Sequence, residues 1–480
     1  MSSRLFQHDF TFQAGTRTYG RLRSIGWLDS AARVSLIGCV WLCLSLVFSQ
    51  AAADRYSRQQ TPEGFRKAIR WEPWNPDHYA GLARALERPL KEGDLPEVVR
   101  LYEKAVQLSP HNANYWARLG QAYEWAGRLE DAQNAHEQAM FLSPSSPTVN
   151  WTIGNFYLRG GKTKLAQHAF QRTVLGDPEM RGPAFDLAWR ATGDGELIAR
   201  EMIPADADIY FEYLNYLVGT ERQDEAEKVW DRVVELGLHF EPTQAFPYLD
   251  ALIQHRRIDP LTTAWSALRK KNPSISGGLH APLGGFSTAV EPAPEKQEGA
   301  LDANLVTNGD FESGILNGGL DWRINPAPGV IIGMDNSIFR DGTHSLQIRF
   351  EGTQNLSDAL VFQYVPVRPN TSYRFAAFMR AQGITTDSGP RFQIRDADDP
   401  AKLFLQSGDV VGDSTWVRRQ LDFVSGPSTR LLEIRVVRLA SSKFDNRIAG
   451  TAWVDQVEMK AIESAAATNL ARVEVHTAAR

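Results

Sequence analysis

The chain has 480 residues, with 52 Lys and Arg against 57 Asp and Glu and a formal charge of −5. At roughly 150 residues per domain, that length implies about three domains, and so small an imbalance excludes a chain-wide basic footprint for nucleic acid. Both cysteines, Cys39 and Cys43, fall in one apolar stretch near the N-terminus, which excludes disulfides and cysteine-bound zinc from everything after it.

Residues 1–33 are polar, carrying Arg4, Arg17, Arg21, Arg23 and Arg33 against Asp9 and Asp29. Residues 34–53 are almost uninterruptedly apolar. About 20 such residues span a hydrocarbon core as a helix that satisfies its own backbone. The positive-inside rule then predicts one pass through a bacterial-type inner membrane. The N-terminus is expected in the cytoplasm and residues 54–480 in the periplasm or outside the cell. Ala51-Ala52-Ala53 leaves signal-peptide cleavage as the alternative. Leu36-Ile37-Gly38-Cys39 has the form of a lipoprotein box, but Arg33 leaves no apolar core ahead of it.

Residues 60–272 show apolar spacings of three and four, the period of helices packed on one face. Trp116, Leu119, Gly120, Tyr123, Ala132, Ala139 and Pro144 recur, shifted by 34, as Ile153, Gly154, Tyr157, Ala166, Phe170 and Pro178. Flanking units are degenerate. Tyr79, Leu82, Ala83, Ala105 and Pro110 fit one unit if Arg88-Pro89-Leu90 is an insertion. Phe65, Ala68 and Pro73 fit only the second helix of an earlier unit. Tyr210, Leu214, Ala226 and Trp230 fit a later one, and Phe246, Leu249, Ile253 and Trp265 a shortened last pair. The pattern resembles the tetratricopeptide repeat. Its small residues let paired helices approach, Gly120 against Ala132, and Pro144 and Pro178 close the second helix of each pair. His136 takes a core aromatic position. The resemblance implies binding of a protein or peptide, with Asn114, Arg118, Gln121, Asn150 and Asn155 as the polar groove positions.

Residues 273–300 carry Gly and Pro without a period, the composition of a linker. Over 301–465 the period becomes two, as in Leu346-Gln-Ile348-Arg-Phe350 and Arg391-Phe392-Gln393-Ile394-Arg395, so an antiparallel sandwich or jelly roll is expected. Asn304-Leu-Val-Thr-Asn308-Gly309-Asp310-Phe311-Glu312, Trp322, Gly342-Thr-His-Ser345, Gln363 to Phe375, Trp416 and Trp453-Val454-Asp455 follow in order. That ordered set resembles the family 4/9 carbohydrate-binding modules, whose fold is a galactose-binding-like jelly roll. Residues 466–480 form a tail.

The resemblance implies polysaccharide binding and a structural calcium held by Asp310, Glu312 and Asp455, since hard oxygen ligands suit that ion. Trp322, Trp416 and Trp453 are expected in the core. Gln347, Arg349, Arg374, Arg391, Gln393 and Arg395 alternate outward from apolar neighbours. On a shared sheet they would make a positive, amide-rich surface suited to an acidic glycan. No metalloprotease, phosphate-loop, nucleophile-elbow or dinucleotide motif is present. The expectation is a membrane-anchored adaptor, not an enzyme, binding protein through its repeats and glycan through its sandwich, in exopolysaccharide or surface-glycan assembly. The alternatives are an assembly factor whose sandwich binds protein, and a glycoside hydrolase with an unrecognised site.

Overall fold

The computed structural model describes residues 26–87, 92–272, 275 and 303–463. The arginines at 4, 17, 21 and 23, the Arg88-Pro89-Leu90 insertion, most of the 273–300 segment and the 466–480 tail lie outside them. The chain divides into two compact units, Met1–Gly160 and Gly161–Arg480.

The first unit contains α1 (Gly26–Ser57), α2 (Pro62–Trp71), α3 (Pro76–Leu86), α4 (Leu95–Leu108), α5 (Ala113–Trp125), α6 (Leu129–Leu142) and α7 (Pro147–Arg159). Residues Ala32–Ser57 of α1 are long and apolar enough to cross a membrane. The helix does not stop where the apolar stretch does. Its last turns pack on α2, burying Ala53 and setting the Phe48 ring 5.7 Å from that of Trp71. The first helix missing from the earliest repeat is thus the end of α1. Thr61 caps α2 through Gly64 N at 3.1 Å, with Pro62 at its first position.

Elsewhere in this unit the helices pair in sequence. α3 to α5 share a core that includes Val98, Tyr102, Ala105, Leu119 and Ala122. Gly127, at φ 72, turns the chain between α5 and α6. Gly120 does mark a close approach, but against His136 rather than Ala132: a Cβ there would fall 2.6 Å from the imidazole.

The second unit begins with α8 (Thr163–Gly176), α9 (Arg181–Thr192), α10 (Gly195–Glu201), α11 (Ala207–Gly219), α12 (Gln223–Glu235), α13 (Phe246–Gln254) and α14 (Ile258–Lys271). The α9–α10 pair has no counterpart in the 34-residue pattern, because α10 has only seven residues and drops the repeat's second apolar face. Trp230 stacks on Tyr248 at 5.3 Å and meets Phe211 edge-on, joining α11, α12 and α13.

The rest of the unit is a two-layer antiparallel sandwich. Its strands are β1 (Arg323–Ile324), β2 (Val330–Asp335), β3 (Ser345–Glu351), β4 (Asp358–Pro366), β5 (Ser372–Ile384), β6 (Arg391–Asp396), β7 (Phe404–Gln406), β8 (Gly412–Val424), β9 (Leu431–Arg438) and β10 (Ala449–Ala461). One sheet, A, has the order β1-β4-β9-β6-β7; the other, B, has β2-β3-β10-β5-β8. Taking β3 to β10 as eight strands, this is the jelly-roll order, with β1 and β2 added at the edges. Inward-facing Ile348, Phe375, Phe392, Ile394, Ile434 and Val454 fill the space between the sheets. Trp322 is fully buried, stacked on Phe311 at 5.5 Å, and its indole donates to the Asn308 carbonyl.

The linker composition suggests separation, yet α13 and α14 lie directly on the sandwich. Phe246 covers Gly318, and the fully buried Trp265 covers Gly319, where a Cβ would meet the indole at 2.5 Å. Ion pairs Asp250–Arg323, Arg256–Asp398 and Asp259–Arg430 surround these contacts.

Candidate functional site

The outward face of sheet A carries two rows of side chains defined by strand register. In the first, Arg323 lies opposite Phe362, Phe362 opposite Arg435, Arg435 opposite Gln393, and Gln393 opposite Gln406. Arg435 Nη2 donates to Gln393 Oε1 at 3.0 Å, and Gln393 Nε2 donates to Gln406 Oε1 at 3.0 Å. The second row is Tyr364, Glu433, Arg395 and Phe404, with Arg395 Nε donating to Glu433 at 2.7 Å. Phe362 and Tyr364 meet edge-to-face at 5.7 Å on one side of this polar ladder, and Phe404, 53% exposed, lies on the other.

The ladder is deep and stiff. Gln393 and Glu433 are buried. Burial, with Arg395 nearby, lowers the Arg435 pKa below its ordinary value, and Arg435 Nε is buried without a hydrogen-bond partner. Fixed amides and guanidinium between aromatic faces suit a ligand with an apolar face and a hydroxylated rim. Helices border the face at two places: Arg256, in the α13–α14 turn, donates to the Ala397 carbonyl just after β6 at 3.0 Å, and Asp250 of α13 holds Arg323 of β1.

The six residues expected to share a surface divide between the two sheets. Arg391, Gln393 and Arg395 are on β6 of sheet A, whereas Gln347 and Arg349 on β3 and Arg374 on β5 belong to sheet B, the opposite outer face. Three of the four arginines are moreover ion-paired, whereas Arg349 stands exposed on β3. Arg374 makes a bidentate contact with Asp422, both distances 2.9 Å, Arg391 meets Asp409 at 2.6 Å, and Arg395 meets Glu433. Gln347 and the Trp453 indole both donate to Asp335; burial of that carboxyl is outweighed by the Ser337, Trp453 and Ile338 hydrogen bonds, which bring it down to about 2.

Phe362, Tyr364, Phe404, Gln406, Glu433 and Arg435 were not marked by the sequence. The bulge between Ala359 and Val361 resets the alternation, putting Leu360 and Val361 both in the core and Phe362 and Tyr364 outside. Gln363, which plain alternation from Val361 keeps inward, is fully buried and pairs with both backbone groups of Thr307.

The proposed calcium ligands do not assemble. Glu312 accepts from Thr343 N and Oγ1 and from His344 N, and Asp455 from the N–H groups of Arg340, Asp341 and Gln456. Backbone N–H groups thus reach oxygens of both carboxylates. Asp310 Oδ1 is buried without a partner, but among the described residues no three His, Cys, Asp or Glu side chains converge to hold a metal. Burial, with the neighbouring Glu312 charge adding to it, pushes Asp455 up to about 6.

In the helical region, Asn114, Arg118 and Gln121 lie on α5, where Arg118 donates to Gln121 at 3.3 Å. Asn150 is fully buried and is not a groove residue: its amide donates to the Pro144 and Ser146 carbonyls and closes the turn before α7. Asn155 donates back to the Trp151 carbonyl on the same helix.

Residues 90–139 match the family model of the tetratricopeptide repeat. No curated protein sequence matches the chain. Among solved structures, YrrB, described as a tetratricopeptide protein with an unusual peptide-binding site, matches with 16% identity over 44% of this chain and 94% of its own, at a TM-score of 0.22. The xylan-binding module CBM22-1 of Paenibacillus barcinonensis Xyn10C matches with 16% identity over 32% of this chain and 92% of its own, at 0.24. An enzymatically active domain of the bacteriophage CBA120 tailspike protein 4 matches with 16% identity over 33% of this chain, which spans 21% of that domain, at 0.25. The tetratricopeptide segment matched runs from the α3–α4 connection through most of α6.

Proposed function

We propose that the chain is a membrane-anchored adaptor that acts by binding and not by catalysis. The anchor is α1, inserted in the inner membrane with residues beyond it on the outer side. The tetratricopeptide helices take a protein or peptide partner, with exposed Asn114 and Arg118 and half-buried Gln121 on α5 offering polar contacts. The outer face of sheet A takes a saccharide, in surface-glycan or exopolysaccharide assembly. The observation that carries the saccharide reading is the fixed Arg435–Gln393–Gln406 ladder between aromatic side chains. Because the nearby arginines are ion-paired, a neutral glycan suits this face better than an acidic one. A glycan array probed with the full chain tests the reading: neutral oligosaccharides should bind, and Arg435→Ala should weaken the signal about tenfold. A second reading has a specific observation behind it, since Phe246 and Trp265 already cover the Gly318-Gly319 loop. On that reading the sandwich serves to stabilise the helical array. An array with no glycan signal, together with loss of helix stability in Gly319→Leu, would favour it.

A further inference from the structure

We propose that α2 and the turn after it rest in the outer membrane–water interface, so that the first repeat is seated on lipid headgroups. This rests on the reading of α1 as the anchor. The apolar stretch ending at Ala53 has about 20 residues and, at ~1.5 Å per residue, matches a hydrocarbon core of about 30 Å. Phe48 lies five residues before that end, ~7.5 Å inside it. The Trp71 ring touches Phe48 edge-on at 5.7 Å, so it cannot stand in bulk water while the apolar stretch fills the core. The contact is held in place on both sides, by buried Ala53 on α1 and by Gly64 on α2, where a Cβ would fall 2.6 Å from the Tyr56 carbonyl oxygen.

The side chains that remain open at this place are of the kind an interface favours. Trp71 is 42% exposed and Trp74 is 54% exposed. Indoles concentrate at the headgroup level, where their apolar ring and N–H are both satisfied. Lys67 and Arg70 on α2 are exposed, against Glu63 alone on the same helix, while Arg66 reaches Glu97 of α4. Long basic side chains keep their stems in the apolar layer and place their charges among lipid phosphates. An anionic bilayer surface is therefore the partner whose chemistry fits.

The test uses the full chain in nanodiscs of phosphatidylcholine and phosphatidylglycerol, with Cys39 and Cys43 replaced by alanine. Spin labels are placed singly by Val40→Cys, Arg70→Cys, Trp74→Cys and Glu130→Cys, and their depth is read from accessibility to oxygen against a water-soluble nickel chelate. The expected result is Val40 in the hydrocarbon, Arg70 and Trp74 at the headgroups, and Glu130 of α6 in water. Arg70 carries no core packing, so it reports even where the Trp74 label disturbs the turn. Arg70 and Trp74 as accessible to nickel as Glu130, with Val40 buried, would overturn the proposal and leave the anchor standing. Val40 in water would remove the anchor, and the proposal with it.

Discussion

His136 has both ring nitrogens buried and unpartnered, its ring 4.7 Å from Phe156. Burial, aided by Arg159 and opposed by Glu124, brings its pKa down to about 4. The unfolded chain therefore takes up this proton first, near pH 6.5. The stabilisation from keeping the ring neutral is complete above pH 6.5 and is lost as the pH falls towards 4, a contribution of roughly 3 kcal/mol. Thermal melting of the full chain between pH 7 and 4 should show the helical transition falling, and His136→Phe should flatten that fall. Asp321 behaves in the opposite sense. It is buried, with one oxygen accepting from Leu316 N at 2.7 Å and the other unpartnered, and burial pushes its carboxyl up to about 6. The sandwich therefore has this stabilisation below pH 4 and loses it as the pH rises through 6. In Asp321→Asn, the decline in its melting temperature between pH 4 and 7 should shrink; a slope equal to that of the parent chain would contradict the assignment.

At the scale of elements, the face proposed to take a saccharide depends on three adjoining strands, β6, β7 and β9, together with β4. Gln393→Ala or Arg435→Ala breaks a hydrogen bond of the ladder and is expected to lower glycan affinity about tenfold, one lost hydrogen bond to a charged or buried group. Arg374→Ala, on the other sheet, should leave it unchanged; titration calorimetry with an oligosaccharide from the array distinguishes them. This division explains what could be read in advance. Alternation told inward from outward on each strand, so Gln393 and Arg395 were legible as surface groups. It is silent on which strands are neighbours, and Gln347 and Arg374 were grouped with them although the jelly-roll order sends β3 and β5 to the other layer. The bulge in β4 concealed Phe362 and Tyr364, because it occupies one residue and shifts the period after it. Among the helices, the repeat at 34 residues was clear wherever both helices are full length, as at α5 and α6. It was lost at α9–α10, and Asn150 looked like a groove residue because an amide that donates to backbone carbonyls and a ligand-binding amide have the same sequence signature.

For the whole molecule, the composition of 273–300 suggested two separable parts, and composition cannot report what the flanking elements touch. Phe246 and Trp265 against Gly318 and Gly319, with three ion pairs between the same elements, form a contact made by residues outside the connecting chain. A protease site inserted at residues 285–290 and cut in the native protein should leave the two fragments co-eluting in gel filtration; separate elution would mean the contact is too weak to persist. Adding Gly319→Leu to the cut chain should release the sandwich.

The unbroken passage of α1 into the first repeat has a mechanical corollary. On the proposed reading of α1 as the anchor, no swivel separates the bilayer from α2, and the azimuth of the helix about its own axis is inherited by every element of the first unit. One residue added between Leu36 and Leu42 advances the part after it by ~100° relative to the start of α1, whereas seven bring it back within ~20° of its starting phase. An adaptor that must present one side of its repeats to a neighbour in the same membrane would therefore lose and regain function with helical periodicity as residues are inserted.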